Sequence, residues 1–236
     1  MLLLGSCLAG LFFVSREREK ILISAILSMP AACTAVLFVP EYWKPIRITQ
    51  YSVGIEDIIF SFATGGIVWI FVSFSVGRNF SYNMALSTLI KRYLALVALG
   101  VFFIYILNRS TKWGVMAEAL VGIIIIGLIL LMRFRFKSWR IALAGSLLFT
   151  LYYSIIMGIS LKLFPHMILF WNNNNLWGLS VFNVPLEEIV WAFGYGAVWP
   201  LAMAYVFNLN ISERDPKTAS SVFWSRKKWM KPEQII

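Results

Sequence analysis

The stretch NVPLEEIVWAFGYGAVW, residues 183–199, decides how the chain is read. Two adjacent carboxyls, Glu187 and Glu188, stand at the head of an apolar segment, 184–209, long enough to cross a bilayer. Charged groups at that depth are costly, so acids kept there mark function by default. The stretch also occurs twice. Residues 52–62 read SVGIEDIIFSF and residues 183–193 read NVPLEEIVWAF. Glu56 aligns with Glu187, Asp57 with Glu188, Phe60 with Trp191 and Phe62 with Phe193; after a one-residue gap, Trp69 aligns with Trp199.

The surrounding chain has the composition of a membrane protein. It is 60% hydrophobic and only 14% charged, and apolar runs of bilayer-crossing length recur throughout. Seven such runs are predicted as helices: 2–14, 21–39, 55–76, 89–107, 113–132, 139–164 and 184–209. The first is short for a bilayer and lacks the cationic start and cleavage pattern of a signal peptide. Lys91 and Arg92 at the head of the fourth can snorkel to the interface. Cys7 and Cys33 fall inside apolar runs, with no disulfide framework and no metal-ligand spacing. The net charge of +10 would suit nucleic acid, but the basic residues lie at helix ends and in the tail, which excludes it. With the N-terminus outside, sixteen Lys and Arg residues fall inside and five outside, so the expected topology is N-out, C-in.

The expected fold is therefore an all-α membrane protein with seven transmembrane helices. Two parallel three-helix repeats, 1–76 and 113–209, are joined by a linking helix in 77–112, and a basic cytoplasmic tail occupies 210–236. In that topology Glu56, Asp57, Glu118, Glu187 and Glu188 all lie near the outer starts of helices. Asn183 is expected to cap the last helix and Pro185 to occupy its first turn. Adjacent helical residues point about 100° apart, so Glu187 and Glu188 cannot face one spot. The helix N-terminus favours a carboxylate, whereas a dry apolar site favours the neutral acid, the form that can give a proton. Trp191, Phe193, Trp199, Phe60 and Phe62 supply aromatic faces able to stabilise a nearby cation.

These residues resemble the lycopene cyclase domain family. The match lies in N-L-x-G at 175–178 and V-P-L-E-E-I-V-W at 184–191, after a loop holding Phe170, Trp171 and Trp177. Tyr42 and Trp43 take that place in the first half, where Gly54 stands instead of the family's proline. The resemblance implies acid-catalysed, non-redox cyclisation of the end of a linear carotenoid such as lycopene to a β-type ring. It implies an intramolecular lyase or isomerase in the cell membrane, acting on a lipophilic polyene without cofactor or metal. Glu187 and Glu188 become the primary catalytic candidates and Glu56 and Asp57 the equivalent pair, with Trp171 and Glu118 joining the aromatic residues around the substrate. Association with another cyclase-like chain, as a homo- or hetero-oligomer, is left open. Because the repeats are parallel, both acidic pairs are expected to converge on one cavity. The rival is a non-catalytic membrane protein, either a polyene-binding subunit or a proton-coupled transporter, whose acids are relays or partners of Arg47 or Lys162. Other membrane classes fail on residues: the last helix has no lysine for retinal, and His166 is the only histidine, too few for a di-iron centre.

Overall fold

The computed structural model describes residues 2–14, 17–47, 51–76, 85–134 and 138–209. The expected tail, 210–236, and Arg16, Arg78, Arg135 and Lys137 of the charge count lie outside the described residues. The helices are α1 (Leu2–Phe13), α2 (Arg18–Ser28), α3 (Ala35–Phe38), α4 (Ile55–Val76), α5 (Leu86–Ser110), α6 (Val115–Arg133), α7 (Trp139–Leu163) and α8 (Leu186–Val206). Six spans are long and apolar enough to cross a membrane; α1 is apolar but too short. The chain is a multi-pass, almost wholly helical membrane protein.

The second apolar run differs from a plain helix. Its α-helix stops at Ser28 and passes through a 3₁₀ stretch, Met29–Thr34, before α3 resumes. Pro30 explains the change, since it lacks an N–H and its ring crowds the preceding turn. The head of α8 differs too. Pro185 is its N-cap residue, without a side-chain cap, and Val184–Pro185 pairs with Ser180–Val181 as a two-stranded hairpin, β1 and β2. Asn183 does not cap the helix; with Phe182 it forms the hairpin turn, both at positive φ (63° and 52°). Two left-handed residues in succession are what a two-residue hairpin turn demands, and asparagine tolerates that region well.

Within each half the third long helix packs on the two before it. Helix α4 lies against α1 and α2, and α8 against α6 and α7, while α4 also meets α7 across the middle. Close approach is made by glycines. A Cβ built on Gly65 would lie 2.5 Å from Ser28 Cβ of α2. On Gly196 it would lie 2.7 Å from the Gly145 carbonyl oxygen of α7. Small residues at such crossings let backbones pack closely where no hydrophobic force draws helices together. Pro200 deepens the second crossing. It has no N–H for the carbonyl four residues back, Gly196, and that carbonyl is the atom facing Gly145. At the far end of α8, Arg92 of α5 donates to the Tyr205 carbonyl (2.9 Å) and to Asn208 Oδ1 (2.8 Å), placing a cation on a helix C-terminus.

Gly196→Ala should therefore destabilise the folded protein by about 1–3 kcal/mol, because backbone cannot yield to the new methyl. Gly158→Ala on α7, where nothing lies within 4 Å, is the matched control and should be neutral or slightly stabilising. Thermal unfolding in detergent reads the difference; equal melting of the two variants would contradict the crossing.

Candidate active site

Glu187 and Glu188 are both buried at the head of α8, at 0% and 9% exposure. They face different partners, as the 100° step requires. Glu188 accepts three hydrogen bonds: from Tyr42 Oη (3.0 Å) and Trp171 Nε1 (3.0 Å) on Oε1, and from Tyr153 Oη (2.7 Å) on Oε2. All three donors are neutral. Glu187 Oε1 accepts the backbone N–H of Trp177, and its Oε2 is buried without a hydrogen-bond partner among the described residues. Polar atoms left so are uncommon, and each asks for an explanation.

The donors to Glu188 come from three places. Tyr153 is in mid-α7, where a tyrosine hydroxyl in apolar surroundings needs a polar partner. Tyr42 and Trp171 come from loops of opposite halves that are tied edge to edge. Lys44 donates its backbone N–H to the Phe170 carbonyl (2.6 Å), and Asn172 donates its own to the Tyr42 carbonyl (3.0 Å). The Asn172 and Asn175 side chains both donate to the Glu41 carbonyl, at 2.9 and 2.6 Å. Trp43 packs edge-on to Trp171 with ring centres 4.6 Å apart. The asparagine run thus serves as a strap holding Tyr42 over the second acidic pair.

Below the acids lies an aromatic cluster. Trp191, Tyr195 and Trp199 recur every four residues on one face of α8 and stack in sequence, with centres 5.2 and 5.8 Å apart and planes within 14° and 9°. Phe60 of α4 meets its aligned partner Trp191 at 5.8 Å, and Tyr153 lies 5.5 Å from the same ring. Phe149 closes the group against Tyr153 and Tyr195. Trp199 ends the ladder by donating to Ser24 Oγ (2.9 Å).

Other residues singled out in the sequence lie elsewhere. Phe193 turns away and is half exposed, opposite the ladder. Phe62 packs in the core without joining the ring stack, and Trp69 packs on Phe207. Glu118 is buried but bound within the α5–α6 connection, to Asn108 Nδ2 (3.2 Å) and Thr111 Oγ1 (2.9 Å). Asp57 forms an ion pair with Arg47 (2.8 Å), and the Glu56 carboxyl folds over Gly54 beside the same guanidinium. No group of His, Cys, Asp and Glu among the described residues could hold a metal ion. Tyr153 and Phe149 are not picked out from sequence as site residues. The signal available was the Tyr153 hydroxyl and the two rings in mid-helix, which packing alone also produces. Two cavities lie by the loop before α8, and neither is lined by Glu56, Asp57, Glu187 or Glu188. One of about 240 Å³ is lined by Tyr42, Met116, Asn175 and Trp177, and one of about 410 Å³ by Leu161, Ile168, Leu176 and Pro185.

The class defined so far is a multi-pass membrane protein with a buried carboxyl pair above a ladder of rings. The family model described as lycopene cyclase matches residues 111–206, which are α6 to α8 with their loops and include the stretch that carries the sequence resemblance. That match supports an enzyme of carotenoid cyclisation. No curated protein and no solved structure matches it.

Burial, and after it the neighbouring Glu188 carboxyl, push the Tyr42 phenol well above its ordinary value. It therefore stays a neutral donor where an unfolded tyrosine, near pH 10, begins to ionise. Above that pH the unfolded chain holds fewer protons than the folded one, so stability falls as pH rises. Tyr42→Phe should remove a slope of up to about 1.4 kcal/mol per pH unit above pH 10, seen as a flatter alkaline limb in detergent unfolding. An unchanged limb would mean that Tyr42 ionises freely in the folded protein.

Proposed function

We propose that this protein cyclises the end group of a linear carotenoid such as lycopene to a β-type ring, within the membrane and without net oxidation or reduction. The observation that carries the reading is the pair Glu187 and Glu188, buried at the head of the Trp191–Tyr195–Trp199 ladder inside the family match. Glu187 gives a proton to the terminal double bond, and its partnerless Oε2 supports that role. The tertiary cation that forms is attacked by a neighbouring double bond, closing the ring's carbon–carbon bond. Glu188, held by three donors, takes a proton from the adjacent carbon, and the new ring double bond forms. The proton then returns to Glu187, so substrate and product are isomers. Phe60, Tyr153 and Trp191 present ring faces and edges beside the acids, and such faces stabilise a desolvated cation by ~2 kcal/mol or more.

The two three-helix units and the N-out, C-in topology belong to the same proposal. The like packing of α4 and α8 supports the first, and the inside excess of Lys and Arg the second. The non-catalytic alternative draws on the Arg47–Asp57 ion pair, since an intramembrane acid there serves structure.

Expression in cells that accumulate lycopene tests the reading. Red pigment should turn yellow with the wild type, and Glu187→Gln and Glu188→Gln should each slow ring formation by about 10²–10⁴, the usual worth of a positioned acid or base. Red cells with correctly inserted wild-type protein would favour the polyene-binding alternative.

A further inference from the structure

The two acidic helix heads are aligned in sequence but differ in what they do. We infer that Asp57 in the first half is a positioning residue that holds the α4 head in place and takes no part in proton transfer, unlike Glu188, its aligned partner in the second half. The inference rests on the cyclase reading above.

The difference begins with one residue, three positions before each second acid. In the first half that residue is Gly54, in the second Pro185. Gly54 has a backbone N–H and donates it to Asp57 Oδ2 at 2.8 Å, while its carbonyl receives the Asp57 N–H at 3.2 Å. This is the reciprocal arrangement by which an acid in the first helical turn satisfies an otherwise unpaired donor. Arg47 adds Nη1 to Asp57 Oδ2 at 2.8 Å and Nη2 to Oδ1 at 3.3 Å. Both oxygens of Asp57 are thereby committed, one to a guanidinium and an amide, the other to the guanidinium. Neither is left to hold or exchange a proton. The Glu56 carboxyl occupies the space where a Cβ on residue 54 would lie, so a proline there would displace it.

Pro185 has no N–H, so the acid three residues on cannot close the same ring. Glu188 reaches instead across to Tyr42, Tyr153 and Trp171. The acid aligned with Glu188 is thus held by a guanidinium, whereas the hydrogen-bond donors to Glu188 are all neutral. Asp57 is therefore closed by its own backbone and a cation, whereas proline opens Glu188 to neutral donors beside the ring ladder.

The double variant Arg47→Met/Asp57→Asn tests this directly. Removing both partners of an ion pair avoids the stranded charge that either single change leaves, so the fold should persist and ring formation should stay within about threefold of wild type. A double variant that elutes and melts like wild type in detergent but cyclises at least about tenfold more slowly would overturn the inference and leave the cyclase reading intact. Should the double variant fail to fold, Asp57→Asn alone decides. It keeps an acceptor for the Gly54 N–H but cannot act as an acid or base, so ring formation should stay within about threefold of wild type, and a loss of about tenfold or more in folded protein overturns the inference. Wild type that forms no rings at all removes the cyclase reading and this inference with it.

Discussion

The architecture turns on one constraint: a carboxyl group buried in apolar surroundings must be given hydrogen-bond partners, and the partners must come from somewhere. For Glu188 they come from a mid-membrane tyrosine, Tyr153, and from two loops that belong to opposite halves of the chain, through Tyr42 and Trp171. Meeting that need fixes much else. The loops must be tied to one another, which the backbone pairing at Lys44–Phe170 and the two asparagine side chains on Glu41 accomplish. The halves must dock closely enough for Phe60 to touch Trp191. The site is thus assembled from both halves, although the family match covers residues 111–206 alone.

The second ingredient is how the helices come close enough. Side chains of ordinary size at Gly65 and Gly196 would meet Ser28 and the Gly145 carbonyl. Offsets of 130 and 131 residues relate the two copies of the acidic stretch, and adding 131 to Gly65 gives Gly196. The crossing and the acid head therefore recur together in the same register. Close contact at the glycine sets the angle at which α8 descends, and this in turn aims Trp191, Tyr195 and Trp199 along one face. A side chain every four residues repeats after about 6 Å of rise, which matches the ring spacings of the ladder.

The sequence carried the coarse plan well, because apolar length and paired acids are strong local signals. The reading of 55–76 coincides with α4, and those of 113–132 and 139–164 fall within two residues of α6 and α7. Pro30 was visible but its effect was not counted, so the second run was drawn as one helix. Asn183 has the right chemistry for a cap, yet Pro185 and the hairpin shift the helix start beyond its reach. Phe193 went astray because a repeat alignment reports equivalence of position and not of facing. Tyr42 and Tyr153 could not be ranked above other aromatics, since what distinguishes them is a hydrogen bond made across 146 and 35 residues of chain. No periodicity encodes a contact of that range.

The choice of partners also bears on the chemistry. A guanidinium beside a carboxylate makes a strong, specific, two-pronged pair, which is a good way to fix a helix end and a poor way to keep an acid reactive. In the proposed cyclisation it would also set a permanent positive charge next to a substrate that turns cationic, and like charges at close range repel most where the surroundings are dry. Tyrosine and tryptophan donors avoid both faults. They satisfy Glu188 without neutralising it, and their rings offer electron-rich faces to the developing cation. Tyr153 unites the two duties, since its hydroxyl binds Glu188 while its ring packs on Trp191 and Phe60. For the proposed cyclisation such residues suit an acid, a base and a carbocation side by side, whereas at the Arg47 corner of the first half the second acid, Asp57, is held in an ion pair.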